Sequence, residues 1–546
     1  MSSVKNFLLG LWKNNRPECI CFGFLIALAL FAFGVHEPWY DEIQAWQIAR
    51  TASWYDILFR IPHFEGHPPL WFVLLAIPAK AGISGLVALR FIGMTTLMLS
   101  GFLIIFKAPF PRWIRFLLPF TYFLFIQYGI IVRPYGIMVL LMILLAMAFP
   151  SKDEHPGRFV GLLAALCACH LFGICIAGGI TIAWLLEIKN GRRWAEFLRG
   201  LWRDKRFQWM LGLLVWAVLL MIDTFPASGT EADNKPYSLA ILLNSLYYVL
   251  LGLPPDAFFT NLHKYLVIKK FSLLLDVSQF VMLAMGLICW TVLLAFLPKK
   301  KWKYLLFPFA MLACLMSFYC SMHHIGLFAV LVVWSFWISL NDAPFIYPKR
   351  PQPVVYIARV LLVFAVFVPL CWTAHQLWLD TYLPVTNSRN IIAFLKEKGL
   401  SDKRIFCAWG RRFLNGQLVP DKIYSQTWAV QLNFYTPHNM FANFHHGGKK
   451  AYNSFENLEG EDAASAFARW KEGGIPEVLV GEAHVEAIWP ELSRQDYIPV
   501  YRMSMYDFWK FDPPTYVPGF IYVRRDVAQQ LGLQDISLMQ PYGAAR

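Results

Sequence analysis

Charged residues are scarce in this sequence, and their scarcity excludes a soluble globular protein. Asp, Glu, Lys and Arg make up 15% of the 546 residues, whereas soluble domains contain about 25%. Apolar runs of membrane-spanning length recur up to about residue 375. The composition therefore predicts a polytopic α-helical membrane protein. Basic loops that orient the spans then account for the net charge of +14, so no nucleic-acid partner is expected.

Disulfide pairs and glycosylation sites are also missing. Nine of the ten cysteines lie in or beside apolar runs, where a small side chain simply packs, and Cys407 has no partner near it. Cys169-His170 lies in an apolar run without carboxylates, which argues against a metal site. No Asn-x-Ser/Thr sequon occurs, which favours a bacterial envelope over a glycosylating lumen. His36-Glu37-Pro38-Trp39 follows the first apolar run, so we expect a retained helix rather than a cleaved signal peptide.

The basic residues fit one side of a membrane. If the Lys/Arg clusters all face the cytoplasm, an even number of crossings separates each successive pair. We expect about eleven transmembrane helices, with the N-terminus inside and the C-terminus outside. The segment 67–84 is short and proline-rich, which predicts a juxtamembrane or re-entrant helix. The predicted spans are residues 19–35, 86–106, 116–131, 133–150, 159–173, 175–189, 207–225, 271–297, 304–320, 325–340 and 354–375.

The sequence divides into a transmembrane domain, residues 1–375, and an outer-face α/β domain, residues 376–546. In the second part charges of both signs become frequent and long apolar runs disappear. A helix is predicted over 388–398, with Ser388 as its N-cap and Gly399 after its end. Short strands are predicted at 404–408, 477–481, 497–503 and 520–524.

The first outer loop, residues 36–85, concentrates ionisable side chains. Asp41 and Glu42 follow the first span within a few residues. His63, Glu65 and His67 come roughly 20 residues later in the same loop. An interfacial loop with a belt of aromatic residues is one interpretation. The spacing of His63 and His67 also leaves a zinc or manganese site open, although Pro68-Pro69 opposes a continuous helix there.

The order of these motifs resembles the GT-C class of membrane glycosyltransferases. The Asp41-Glu42 pair after the first helix, His67-Pro68-Pro69-Leu70, and Arg133-Pro134-Tyr135 at the start of a later helix carry the resemblance, together with a C-terminal outer domain. Within the class, the chain is most similar to the branch of protein mannosyltransferases and aminoarabinose transferases. The resemblance is best over residues 17–190. The later basic position of the family, often Arg, is replaced by Met322-His323-His324.

The resemblance implies an enzyme of a bacterial inner membrane. It would move a sugar from a polyprenyl-phosphate donor to an outer-face glycan, lipid or protein acceptor, without a cofactor. Asp41 matches the catalytic base of the family, and an inverting displacement needs such a base. Glu42 would orient the acceptor or a neighbouring base, or else serves only as an acid in the first turn of a helix.

The resemblance, together with the charge of a leaving phosphate, also indicates which residues would bind the donor and the acceptor. Cationic or hydrogen-bonding partners are needed for the phosphate. The phosphate candidates are Arg133, His67, His323, His324, Lys269 and Lys270, of which the lysine pair is otherwise an interfacial anchor. The acceptor and sugar candidates are Tyr135, His63 and Glu65.

Two other functions remain open from the residues. A transporter or flippase for lipid-linked glycans would have charges near mid-bilayer and broken helices in matching halves. The centres of the predicted spans are nearly free of charge, with Asp276 the closest exception. A polymerase or ligase that uses a diphosphate-linked glycan needs the same membrane face and similar residues.

Overall fold

The protein has a helical membrane part followed by a smaller part with a mixed β-sheet, which confirms the predicted fold class. The computed structural model describes these residues: 14–191, 193–226, 239–260, 272–318, 320, 322–341, 352–383, 386–407, 413–414, 417–418, 422–423, 427–443, 461–462, 468, 471–481, 496–507 and 515–537. Lys269 and Lys270 lie outside them.

Eighteen α-helices are described in the membrane part. They are α1 (Arg16–Val35), α2 (Tyr40–Thr51), α3 (Trp54–Phe59), α4 (Ile61–Glu65), α5 (Leu70–Lys80), α6 (Gly85–Lys107), α7 (Arg112–Leu117), α8 (Pro134–Ala148), α9 (Pro156–Cys169), α10 (Leu171–Lys189), α11 (Trp194–Leu201), α12 (Lys205–Asp223), α13 (Leu239–Leu251), α14 (Leu253–Phe259), α15 (Ser272–Phe296), α16 (Trp302–Phe318), α17 (Met322–Leu340) and α18 (Gln352–Tyr382). A π-helix, Phe123–Ile130, precedes α8.

The first membrane helix shows how the sequence builds the bundle. Leu25, Ala29 and Ala32 of α1 are fully buried and lie three or four residues apart, on one face. A Cβ at Gly101 of α6 would lie 2.3 Å from the Leu25 side chain, so a larger residue there would force that side chain to move. Phe24 on another face is 61% exposed, as expected of a side chain that meets lipid.

Among the described residues, fewer helices than the eleven predicted have the length and composition of a membrane span. Seven described helices are long and apolar enough to cross a membrane, or up to nine if each of two bent pairs is one span. The predicted span 159–173 ends early, because α9 has only 14 residues, about 21 Å at the rise of an α-helix. The bent pairs are Arg112–Phe120 with Phe123–Ile130, at 41°, and Phe280–Phe296 with Lys299–Phe318, at 113°.

Two segments between predicted spans, 226–270 and 67–84, contain helices in their described residues. The segment 226–270 is an expected outer loop, yet α13 packs on α16, and α14 packs on α17 and α18. Leu253 and Ala257 are buried in this contact. The segment 67–84 forms the short apolar helix α5, in agreement with the expected juxtamembrane or re-entrant helix.

Charged residues gather at opposite ends of the helices. At one end, here the basic end, Glu18 accepts from Arg112 and Arg115 at 3.0 and 3.2 Å. At the same end, Lys152 pairs with Glu187 at 3.0 Å. Asp41, Arg133 and His323 lie at the other end, here the site end. This separation is the one expected from the basic loops, while the membrane face of each end stays a prediction.

The C-terminal part contains a four-stranded sheet with the order β1-β6-β8-β7. β1 and β6 are parallel, and the other two pairs are antiparallel. All four predicted strands are present, and the predicted helix is α19 (Ser388–Glu397), although its N-cap is Asn387 rather than Ser388. The strands are β1 (Ile405–Cys407), β2 (Phe413–Leu414), β3 (Gln417–Leu418), β4 (Lys422–Ile423), β5 (Glu461–Asp462), β6 (Val478–Gly481), β7 (Tyr497–Asp507) and β8 (Thr515–Arg524). Helices α20 (Thr427–Asn433) and α21 (Arg525–Gln530) complete this part.

The C-terminal part docks on the first outer loop. Arg50 of α2 donates to the carbonyl oxygens of Thr436 and Asn433 at 2.9 and 3.3 Å. Glu37, just after α1, accepts from the backbone N–H groups of Thr386 and Asn387 at 3.2 and 3.1 Å. Because α2 carries Asp41, these bonds tie the C-terminal part to the helix that begins at the candidate site.

Candidate active site at one end of the helical bundle

Asp41 and Glu42 are neighbours in sequence but lie in different environments. Both belong to the first turn of α2, which follows Trp39 as N-cap. The Asp41 side chain is 34% exposed, whereas that of Glu42 is 1% exposed. Successive residues of a helix point about 100° apart, so one carboxylate reaches the open side and the other reaches the interior.

Glu42 is occupied by structural hydrogen bonds. Its carboxylate accepts from the Val132 N–H at 2.8 Å, from the Trp39 N–H at 3.1 Å and from the His36 ring at 3.1 Å. The Trp39 bond is half of a capping box, and the Val132 bond fixes the segment that leads to Arg133. Of the two roles open from the sequence, these contacts favour the acid of a helix first turn over orientation of an acceptor.

His36 joins Glu42 to the last membrane helix. Its second ring nitrogen lies 3.2 Å from the Asp380 carboxylate of α18. Burial disfavours the charged imidazole, but Glu42 and Asp380 outweigh burial and raise the pKa of His36 to about 10. A buried imidazolium between two carboxylates therefore links α1, α2 and α18 near Asp41. His36 and Asp380 are 344 positions apart, and no sequence motif connects them.

Arg133 is the charged partner of Asp41. It is the N-cap of α8, its side chain is 11% exposed, and its Nη1 lies 3.0 Å from Asp41 Oδ2. Its guanidinium carbon lies 5.8 Å from the Trp39 ring centre and 5.3 Å from that of Tyr135, within the range of cation–π attraction. The carboxylate and the arginine proposed from the sequence are thus in direct contact.

His323 contacts the same arginine. Its Nε2 lies 3.2 Å from Arg133 Nη1. Because an arginine nitrogen only donates, His323 Nε2 must accept, and the ring is neutral in this arrangement. His323 therefore helps to orient Arg133 instead of adding the positive charge expected at this position.

A close approach of two segments places His323. The hydroxyl of Tyr128, in the π-helix, donates to the His323 carbonyl oxygen at 2.6 Å. A Cβ at Gly326 would lie 2.6 Å from that hydroxyl oxygen and 2.3 Å from the Phe123 ring. The glycine three residues after His323 therefore lets α17 reach the π-helix.

Four histidines and Tyr135 form a cluster below Arg133, in which His67 is half-buried and the other members are buried. The ring centres of His323 and His324 are 4.0 Å apart, and those of His67 and His170 are 4.4 Å apart. Tyr135 is fully buried between the two pairs, 5.7 Å from His323 and 5.2 Å from His170. His67, His323, His324 and Tyr135 are thus brought together with Asp41 and Arg133.

His67, one of the phosphate candidates, could bind either as a cation or as a neutral hydrogen-bonding group. Burial and the nearby charge of Arg133 lower its pKa to about 3, against a smaller opposite effect of the Gly66 backbone. The imidazole is therefore neutral at physiological pH. Its Nδ1 is buried without a hydrogen-bond partner among the described residues, so any part in phosphate binding would be that of a neutral hydrogen-bonding group.

His63 and Glu65 have partners other than the Asp41–Arg133 pair. His63 Nδ1 donates to the Phe225 carbonyl oxygen at 2.7 Å, and Glu65 accepts from Gln44 at 3.0 Å. Within the described part of the chain, no three His, Cys, Asp or Glu side chains lie close enough to hold a metal ion. The suggested site of His63 and His67 finds no support.

A large apolar cavity lies beside the cluster. Its volume is about 410 Å³, and it is lined near the site end by Phe123, Phe258 and Gly326 and toward the basic end by Trp113 and Leu340. Gly326 belongs both to this lining and to the contact that holds His323. The cavity thus begins next to the candidate site and runs along the bundle.

Comparison with known proteins gives one weak likeness. The structure resembles that of the arabinofuranosyltransferase AftD from mycobacteria, with a TM-score of 0.38 and 12% sequence identity. The match covers 92% of this chain but 40% of AftD, so this chain spans less than half of that protein's length. No family model and no curated protein matches the sequence.

Proposed function

We propose that this protein is a membrane glycosyltransferase that moves a sugar from a polyprenyl-phosphate donor to an acceptor hydroxyl at the outer face of a bacterial inner membrane. The observation that carries the proposal is the 3.0 Å contact between Asp41 and Arg133 at one end of an apolar bundle. It pairs a partly exposed carboxylate, which can accept a proton, with a permanent cation, which suits a phosphate.

The chemistry is a single displacement with inversion. Asp41 takes the proton of the acceptor hydroxyl as the acceptor oxygen bonds to the anomeric carbon of the sugar. The bond between that carbon and the phosphate oxygen breaks, and its electron pair stays on the phosphate. Arg133 stabilises the charge that develops there, and its planar guanidinium can donate two hydrogen bonds to phosphate oxygens.

The cavity supports a lipid-linked donor. An apolar space of about 410 Å³ falls within the usual size of ligand pockets. Because it begins at Gly326, next to the residues that hold Arg133, it offers room for the first part of an isoprenoid chain whose phosphate meets Arg133. His67 and Tyr135 would line the polar part of this site, and the acceptor is a glycan, a lipid or a protein.

The direct test is transfer by the purified, full-length protein. It would be incubated with radiolabelled sugars on polyprenyl monophosphate and with an envelope extract as acceptor. We expect labelled product from the wild type and none from Asp41→Asn. Asp56→Asn is the matched control, because Asp56 also lies in the first turn of a helix, is 30% exposed and has an arginine, Arg60, at 3.8 Å.

The alternatives give different outcomes in the same assay. A polymerase or ligase would release product only from diphosphate-linked glycans, and a flippase would move lipid-linked glycans across vesicles without forming a glycosidic bond. Either result, or full activity of Asp41→Asn, would refute the proposal.

A further inference from the structure

His170 is fixed on both of its ring nitrogens. It is the N-cap of α10, and its Nδ1 accepts from the Phe172 N–H at 3.1 Å. An acceptor nitrogen carries no proton, so the neutral ring carries its proton on Nε2. That nitrogen lies 3.1 Å from the Tyr135 hydroxyl oxygen, which therefore accepts the bond.

The packing around His170 leaves its ring one orientation. The ring is stacked on that of Phe172, with centres 4.7 Å apart and planes 7° apart, and His67 covers it at 4.4 Å. A Cβ at Gly173 would lie 2.0 Å from the Leu166 carbonyl oxygen. The tight turn between α9 and α10 thus depends on glycine, and it holds His170 against Tyr135.

Tyr135 transmits this orientation to the charged pair. It lies two residues after Arg133, and its ring centre is 5.3 Å from the Arg133 guanidinium carbon. The same guanidinium holds Asp41 at 3.0 Å. A continuous series of contacts therefore runs from the α9–α10 turn through His170, Tyr135 and Arg133 to Asp41.

We propose that His170 is a positioning residue for the glycosyl transfer: its bond to the Tyr135 hydroxyl sets the ring against which Arg133 packs, and so sets the geometry of Arg133 and Asp41. His170 itself touches neither donor nor acceptor. This inference rests on the proposed function, and it adds His170 to the residues that the sequence motifs pointed to.

Two substitutions separate the two bonds of His170. Asn places an amide oxygen near the position of Nδ1, so His170→Asn keeps the cap on Phe172 and loses the donor to Tyr135. Gln reaches the position of Nε2, so His170→Gln keeps a donor to Tyr135 and loses the cap. We expect turnover to fall at least about tenfold in His170→Asn with little change in melting temperature. His170→Gln should melt at a lower temperature and keep most of its turnover.

Tyr135→Phe completes the test. It removes the hydroxyl and keeps the ring, so it should lower turnover as His170→Asn does, and the double variant should be no worse than either single variant. His155→Asn is the control, since His155 is the exposed N-cap of α9 and has no side-chain cap bond. We expect His155→Asn to match the wild type.

A structural measurement separates this inference from the proposed function. In a cryo-EM structure of full-length His170→Asn, we expect the Arg133–Asp41 contact to lengthen beyond hydrogen-bond distance. An unchanged contact, additive losses in the double variant, or parallel losses of turnover and melting temperature in both His170 variants would overturn the positioning role. If the wild type transfers no sugar from polyprenyl phosphate, the proposed function fails, and the structure of the variant still decides whether His170 positions Arg133.

Discussion

Asp41 and Arg133 hold each other, with Oδ2 and Nη1 3.0 Å apart. The proposed base and the proposed phosphate partner therefore neutralise one another. A donor phosphate that binds Arg133 has to compete with Asp41 for the same guanidinium. Donor binding would then release the carboxylate, which gives a physical reason for the donor to bind before the acceptor hydroxyl loses its proton.

This competition changes what Asp41→Asn should do. Transfer should fall by about 10² to 10⁴, as for loss of a general base. The sequence alone predicts nearly unchanged donor binding, whereas the ion pair predicts tighter binding, by up to about fivefold for a partly exposed pair. Binding of polyprenyl monophosphate to the purified variant measures this change. Weaker binding than in the wild type, with Asp56→Asn unaffected, would contradict the competition.

Substitution of Arg133 tests the phosphate partner. Arg133→Ala should lose binding of polyprenyl monophosphate, and Arg133→Lys should weaken it, because lysine lacks the planar pair of donors and the contact with the Tyr135 ring. The same binding assay applies, with Arg60→Lys as the control because Arg60 pairs with Asp56. Unchanged affinity in Arg133→Ala would indicate that His324, or Lys269 and Lys270, bind the phosphate instead.

The pKa of His67 predicts how stability depends on low pH. Its folded-state pKa of about 3 lies below the ordinary value of about 6.5, so the unfolded chain binds a proton first as the pH falls. The neutral buried ring stabilises the fold above pH 6.5, and this contribution is lost between pH 6.5 and 3. His67→Gln should flatten the fall in melting temperature over that range. The loss of donor binding in His67→Ala should also be the same at pH 7 and 8.5, since the ring is neutral at both.

The pKa of His36 predicts the opposite dependence of stability on pH. Its folded-state pKa is raised to about 10, so its contribution is complete below the ordinary value and is lost as the pH rises from about 6.5 through 10. The melting temperature of the wild type should fall over that range, and His36→Gln should reduce the slope. A slope equal to that of the wild type would mean that the bonds of His36 to Glu42 and Asp380 are not charged.

The membrane orientation can be tested with single introduced cysteines. Asp402→Cys, in the C-terminal part, should react with an impermeant maleimide applied to intact cells. Glu154→Cys, at the basic end, should react only after the cells are opened. Both residues are exposed, and the protein with its native cysteines alone gives the background. The reverse pattern would place the candidate site on the cytoplasmic side.

Local patterns were enough to predict part of the fold. The strands β1 and β6 are short apolar runs between polar residues, and α19 has its apolar residues on one face. The period and the boundaries of the sequence pattern therefore agree with those of the observed elements. Asp41 and Arg133 were both assigned to helix ends on one membrane face, but their direct contact was not predicted. The length of α9 could not be read from the sequence, because apolar residues continue past Cys169 into α10 without a break in composition.

The roles of several site residues depend on contacts that no local pattern encodes. Asp41 and Glu42 look alike in sequence, and one of the hydrogen bonds that hold Glu42 comes from Val132, 90 positions away. The sequence alone suggests a positive charge on His323. In the structure its Nε2 accepts a hydrogen bond from Arg133, so the ring is neutral. His170 lies in an apolar run, where a histidine has no visible partner, and Tyr135 becomes its partner only when α8 packs against the α9–α10 turn.

The shortness of α9 bears on which nucleophile reaches the sugar. A helix of 14 residues rises about 21 Å, less than the ~30 Å hydrocarbon core, and the turn that follows it is buried, with His170 3% exposed. Polar groups in such a recess are surrounded by imidazole and phenol rings instead of bulk solvent. Hydrolysis competes with transfer wherever water reaches an activated sugar. In the proposed transfer, such a recess would lower the local concentration of water at the anomeric carbon and leave a bound acceptor hydroxyl as the better competitor.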